Sequence, residues 1–196
     1  MSSPDMRMKD FIARAKQSPG KLSYASGGLG TTTHVAAAML TQQAGLQVLH
    51  VPYKGNAPAI PDVLSGQVNV IFDPVNSAGP LVRDGKFRAL GFTSSRHTPL
   101  FPNVPTIAEQ GQAGYDFSIY TGLVAPAGTP KDVLAKLHDA LMKATSSAEL
   151  RERFSKDGTE LLTGDSTDQF NEFLRLEVTR YAKGRCPHLF FASSSG

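Results

Sequence analysis

The chain has 196 residues, 40% of them apolar and 19% charged, with a formal net charge of +3. That composition fits a globular protein with room for one core, or for one core and part of another. Basic residues are scattered among acidic ones, so there is no nucleic-acid stripe. The single cysteine, Cys186, excludes an intrachain disulfide. No apolar run approaches the roughly 18 residues of a membrane span, which argues against direct membrane insertion.

Eighteen glycines and thirteen prolines indicate frequent turns between short elements. Asp10 to Gln17 is predicted helical, with Phe11, Ile12 and Ala15 on one face and Pro19-Gly20 as its stop. A strand is predicted over Leu22 to Ala25, followed by the loop Ser26 to Thr32 and a helix from about Thr33 to Gln43. A second strand, Leu46 to Val51, leads through the loop Tyr53-Lys54-Gly55-Asn56 into a helix over Ala57 to Leu64. A third strand, Gln67 to Phe72, leads through the loop Asp73 to Ser77 into a short helix over Ala78 to Arg83, and another strand is predicted from Phe87 to Thr93. Strands alternating with helices at this spacing predict a mainly parallel, doubly wound α/β sheet, whose ligands lie beyond the carboxyl ends of the strands. All three loops fall at such ends. Further on, a long strand is predicted over Tyr115 to Val124, then helices over Lys131 to Thr145, Ser147 to Lys156 and Thr167 to Lys183, with a short strand over Thr159 to Leu162. A domain boundary is placed near Tyr120.

The glycine-rich loop is the strongest local feature. Its glycines free backbone N–H groups to turn toward a ligand, and the helix that follows adds its positive N-terminal end. Thr31 and Thr32 add hydroxyl donors. A carboxylate suits such a cradle; an ordinary strand-to-helix turn capped by threonine explains the same residues. Gly28-Leu29-Gly30 lacks the third glycine of a dinucleotide fingerprint, and no Gly-Lys-Ser/Thr follows. Tyr53, Lys54 and Gly55 offer a phenol, an ammonium and a backbone donor to an anion, or else form a solvated turn. Asp73 accepts from ligand hydroxyls or a bridging water, or caps the helix near Asn76 and Ser77. Ser77 is the weaker candidate of that loop. The five histidines show no ligand spacing, no Ser–His–Asp or Cys–His set stands out, and neither a metal nor a cofactor is expected.

A family signal is carried by Pro19-Gly20-Lys21-Leu22-Ser23-Tyr24-Ala25-Ser26, Gly28-Leu29-Gly30-Thr31 with His34, and His50-Val51-Pro52-Tyr53-Lys54-Gly55 followed by Ala57-Pro58-Ala59. Leu64-Ser65-Gly66-Gln67-Val68, Gly85 to Leu90, Pro102 to Thr106 and Ala125 to Pro130 continue it. In order and spacing these segments resemble the Bug (TctC-type) periplasmic solute receptors of tripartite tricarboxylate transporters, over about residues 10 to 183.

The resemblance implies a periplasmic-binding-protein-like fold of type II, in which two α/β domains close on a ligand. Residues 1–17 would lead in, 18–120 would form the second, nearly complete ligand-binding domain, and 121–183 would return to an incomplete first domain with exposed apolar helix faces. Residues 184–196 do not resemble the family's last helix and are expected to be an atypical tail without fixed structure. The implied partners are a small organic carboxylate and the membrane components of the transporter, and the implied role is non-enzymatic. The implied ligand set is Ser26, Gly27, Gly28, Gly30, Thr31, Thr32, Tyr53, Lys54, Gly55, Asp73 and Ser77. On that resemblance, the family's upstream signal peptide and opening strands are expected to have no counterpart here. Met1 to Asp10 has no apolar h-region, so the family is periplasmic while this chain as written is expected to stay in the cytoplasm as a partial or inactive copy. The alternative function is a small α/β hydrolase or transferase using the glycine loop as an anion hole, with His34 and Asp73 its only plausible acid–base pair. An effector-sensing domain of a transcription regulator is the third reading; no helix-turn-helix precedes the domain to support it.

Overall fold

In the computed structural model, residues 7–161 and 166–183 are described. The elements in chain order are α1 (Met8–Gln17), β1 (Ser23–Ser26), α2 (Thr32–Gln43), β2 (Leu49–Pro52), a 3₁₀ turn (Ala57–Ala59), α3 (Ile60–Leu64), β3 (Val70–Ile71), α4 (Val75–Arg83), α5 (Lys131–Thr145), α6 (Ala148–Lys156) and α7 (Thr167–Lys183). The chain divides into two compact units, the second starting at Tyr120.

The first unit is built on a parallel three-stranded sheet of order β2-β1-β3, so β1 is central. All four residues of β1 are buried. The pleat sends Ala25 to one face, where it meets Ala59 and Val68 with Val51, Val63 and Ile71 around them. Tyr24 points to the other face, its ring stacked on His50 of β2 and edge-on to Phe72. Helical segments therefore cover both faces: the 3₁₀ turn and α3 on the Ala25 side, and α2, through His34 stacked on His50, on the Tyr24 side. Because β1 lies between β2 and β3, the direction of winding reverses beside it, which is the place where open α/β sheets bind ligands.

Several strands are shorter than their apolar runs predict. β3 begins only at Val70 because the Asn69 side chain takes the ladder's place, its Oδ1 accepting the Ser23 N–H at 2.8 Å. β2 begins only at Leu49 because the preceding residues close the end of α2, with Leu46 N–H donating to Thr41 O. The strand predicted at Phe87 to Thr93 does not form. Phe87 N–H closes the end of α4 on Leu81 O, and only Phe92 makes an isolated bridge, to Thr106. The segment up to Phe117 instead packs within the first unit, with Ile107 and Tyr115 fully buried and Tyr115 Oη donating to Ala36 O at 2.8 Å.

The strand predicted over Tyr115 to Val124 is also absent. A strand needs a neighbour for its amides and carbonyls. Among the described residues, none of 118–125 makes a backbone hydrogen bond outside its own neighbourhood. In the second unit, Tyr120 packs edge-on against Phe173 of α7 and Gly122 lies against the Phe170 ring. Leu123 and Val124 are 72% and 81% exposed. Leu137, Leu176 and Val178 are exposed on α5 and α7, and Thr145 is the one buried residue described in this unit. The strand predicted at Thr159 to Leu162 is not seen over 159–161, and Leu162 lies outside the described residues. The tail, 184–196, lies outside them too. No described helix is long and apolar enough to cross a membrane.

Burial this uneven separates the two units energetically. Amide exchange of α5 to α7 is expected to be markedly faster than that of β1 and α2, which hydrogen-exchange mass spectrometry reads directly. Leu40→Ala, which empties a site 1% exposed, is expected to lower stability by about 2–5 kcal/mol in urea unfolding.

Candidate ligand-binding site

The loops after β1, β2 and β3 converge at the carboxyl end of the sheet. Parallel pairing of β1 with β2 runs beyond the strands: Tyr53 N–H donates to Ser26 O and Gly55 N–H to Gly27 O, each at 3.0 Å. This zips the first two loops together. A Cβ on Gly27 would sit 2.8 Å from Asn56 Oδ1, and one on Gly28, whose φ is +122°, would sit 3.0 Å from Tyr53 O. These two glycines are therefore required by the close approach of the neighbouring loop.

Asn56 links all three loops. Its Oδ1 accepts from Thr33 Oγ1 at 3.3 Å. Its Nδ2 donates to Phe72 O at 3.1 Å and to Asp73 Oδ1. Thr33 Oγ1 also accepts the Gly27 N–H at 3.0 Å. The chain of bonds thus runs from Gly27 through Thr33 and Asn56 to Asp73. The second carboxylate oxygen, Asp73 Oδ2, is buried with no hydrogen-bond partner. A buried orphan acceptor is costly and asks for a donor.

The glycine loop itself is more self-contained than its sequence suggests. Gly28 N–H donates to Ser26 Oγ, Gly30 N–H to His34 Nδ1 and Thr31 N–H to Gly28 O. Together with Gly27, four amides expected to face a ligand are engaged internally. The reason is local: Ser26, Thr33 and His34 place acceptors under the loop. Among the described residues, the N–H groups of Leu29, Thr32 and Thr33 make no hydrogen bond, and the last two open α2. Thr31 caps that helix, accepting the His34 N–H at 3.4 Å and donating to Gly28 O at 2.7 Å. Thr32 is exposed.

Other expected groups separate. The Tyr53 phenol donates to Asp62 Oδ2 of α3 at 2.6 Å, and that bond raises its pKa. Its hydroxyl is thus committed, as is the Gly55 amide. Lys54 is exposed and forms no ion pair among the described residues. Asp73 does not cap α4, whose N-cap is Pro74 with no side-chain bond. Ser77 is exposed within the first turn of α4.

Sequence reasoning missed Asn56, Thr33 and the contact between the two buried-face histidines. His34 and His50 stack with ring centroids 4.4 Å apart, and His50 Nε2 lies 2.7 Å from Ser26 Oγ. Burial, and then the adjacent His34, hold the His50 imidazole below its ordinary value of 6.5. The in-register pairing of Tyr24 with His50, which sets this ring contact, is seen only in the structure. Among the described residues no group of three or more His, Cys, Asp or Glu is placed to hold a metal ion.

A family model, the tripartite tricarboxylate transporter family receptor, matches residues 1–183. The chain belongs to this family. A UPF0065 protein from the tcbD-tcbE intergenic region of Pseudomonas sp. (strain P51) is 36% identical to it over 183 residues, which are 91% of this chain and 54% of that relative. Among solved structures, Rpa4515 of R. palustris with adipate has a TM-score of 0.82 at 30% identity, covering 93% of this chain and 61% of that one. The periplasmic binding protein BugD has a TM-score of 0.81 at 31% identity, again over 93% and 61%. The receptor-family chain thus has the periplasmic-binding-protein-like α/β fold that its motifs imply, and it spans 54% to 61% of the length of these three relatives.

Two outcomes follow from the site's packing. Gly28→Ala forces a strained φ against the Tyr53 carbonyl and is expected to destabilise by about 1–3 kcal/mol, measured by urea unfolding. For His50, above pH 6.5 the folded and unfolded chains are both neutral; below it the unfolded chain takes up a proton that the folded chain resists. Stability is therefore expected to fall as pH drops through 6.5, and His50→Gln should flatten that slope in a series of thermal melts.

Proposed function

We propose that residues 18–120 form one wall of a carboxylate-binding cleft in an extracytoplasmic solute receptor that serves a tripartite tricarboxylate transporter. The observation that carries this reading is the Gly27–Thr33–Asn56–Asp73 network, ending at the orphan Asp73 Oδ2 beside the sheet's switch point. One ligand carboxylate would take the Leu29, Thr32 and Thr33 amides at the start of α2, where the helix favours an anion. Lys54 on the adjoining loop would add positive charge. Asp73 repels a carboxylate, so it would receive a hydroxyl of the ligand or a water that bridges to it. Rpa4515, solved with adipate, supports a small organic acid as the ligand class. Residues 121–183 would belong to the opposing domain. The chain spans 61% of the Rpa4515 chain, so closure of two walls is proposed for the longer receptor, and the chain as given is expected to bind weakly. The family supports a periplasmic site of action for that receptor and its membrane components as partners.

The test is amide-resolved NMR of the chain titrated with adipate. Shifts at Leu29, Thr32 and Thr33 that vanish in Thr31→Ile are expected; shifts spread elsewhere, or none at millimolar adipate, would sink the reading. A hydrolase remains the second reading because Ser26 and His50 are hydrogen-bonded. Against it, Ser26 is fully buried and its Oγ is also bonded at Gly28. Turnover of a panel of small esters that is lost in Ser26→Ala would favour it instead.

A further inference from the structure

We propose that His34 is a positioning residue for the loop Gly27–Thr31: its neutral imidazole accepts the Gly30 N–H through Nδ1 and holds the loop in the shape that presents the Leu29, Thr32 and Thr33 amides. The inference rests on the binding role proposed above for those amides.

The geometry is reciprocal. Thr31 Oγ1 accepts the His34 N–H, and His34 Nδ1 accepts the Gly30 N–H at 3.1 Å. His34 is the third residue of α2. This is a variant of the capping box, in which a Glu or Gln at the third helical position accepts the N-cap amide; here the acceptor reaches one residue further back, to Gly30. Here an imidazole takes that place. A glutamate would do the same bonding but would set a negative charge beside amides that are to receive an anion. A neutral histidine supplies the acceptor without that repulsion.

The bond fixes the tautomer: Nδ1 keeps its lone pair and the proton sits on Nε2. The ring is buried and stacked on His50, which is itself stacked on Tyr24 and bonded to Ser26. The ring that locks the loop therefore leans on the two strands that carry the loops. Protonation would turn Nδ1 into a donor and leave the Gly30 N–H facing it without an acceptor. The groups bearing on this step include His50 from β2, with ring centroids 4.4 Å apart, and Tyr24 from β1 behind it. Thr31 and Thr33 contribute uncharged hydroxyls, and the Asp73 carboxylate of the third loop is reached only through Thr33 and Asn56. The two stacked rings disfavour being protonated at the same time.

The experiment is a pH titration of the whole chain by NMR, following the ring nitrogens of His34 and the exchange rate of the Gly30 amide. At about pH 8 the Nδ1 of His34 should be unprotonated and the Gly30 amide protected. Protection should be lost in step with protonation of His34. His34→Asn, whose side-chain oxygen can replace Nδ1, should keep the Gly30 amide protected across the titration. His34→Phe should speed its exchange roughly five- to tenfold at about pH 8 while β1 and the rest of α2 stay protected. Unchanged Gly30 exchange in His34→Phe, or titration of His34 without any response at Gly30, would overturn the proposal. Should His34→Phe unfold, the wild-type titration and His34→Asn still decide. Adipate added in the same series separates the two readings: loop control by His34 with no adipate shifts at any pH removes the binding role and leaves the positioning role in place.

Discussion

Three loops meet at one end of the sheet, and they hold a common shape because one amide side chain bonds to all of them. Asn56 takes a hydroxyl from the start of α2 and gives its two amide protons to the end of β3. The close approach that lets it do so depends on Gly27 and Gly28, which keep the first loop free of side chains where the second crosses it. The register of β1 with β2, extended by two backbone bonds past the strands, sets the distance between the loops. Removing any one of these devices would loosen the others, because each of these bonds joins one loop to another.

The aromatic ladder on the opposite face performs the same task from below. His34, His50, Tyr24 and Phe72 pass from α2 across β2 and β1 to the end of β3. Flat rings in sequence transmit position well, since stacked faces resist sliding and burial excludes water from between them. The polar network and the ring ladder thus fix the loops from two sides. This leaves the Leu29, Thr32 and Thr33 amides and Asp73 Oδ2 as the parts of the site with bonding capacity to spare.

Much of the fold was legible in the sequence where periodicity and punctuation agreed. α5 and α7 begin and end where their apolar spacing and flanking residues place them, at Lys131–Thr145 and Thr167–Lys183. Strands were less legible, because an apolar run records burial and not pairing. Leu46 to Val48 and Gln67 to Asn69 carry strand-like residues yet serve turns and side-chain bonds. The loops of the site were visible as glycine-rich breaks, and their place at strand ends followed from the alternation of elements. Their inner wiring was not visible: Thr33 meets Asn56 across 23 positions and Asn56 meets Asp73 across 17. Nor could spacing show that Tyr53 would turn its hydroxyl to Asp62 instead of to a ligand.

The stretch from Tyr120 to Val124 has a consequence for handling the protein. It has no regular secondary structure and is largely apolar, with its main-chain groups unpaired among the described residues and its last two side chains open to water. Such a segment is a template on which another extended chain can be laid. Concentrated solutions of this polypeptide should accordingly be prone to self-association that begins there, and holdase chaperones in a cell would find their preferred kind of target at the same five residues.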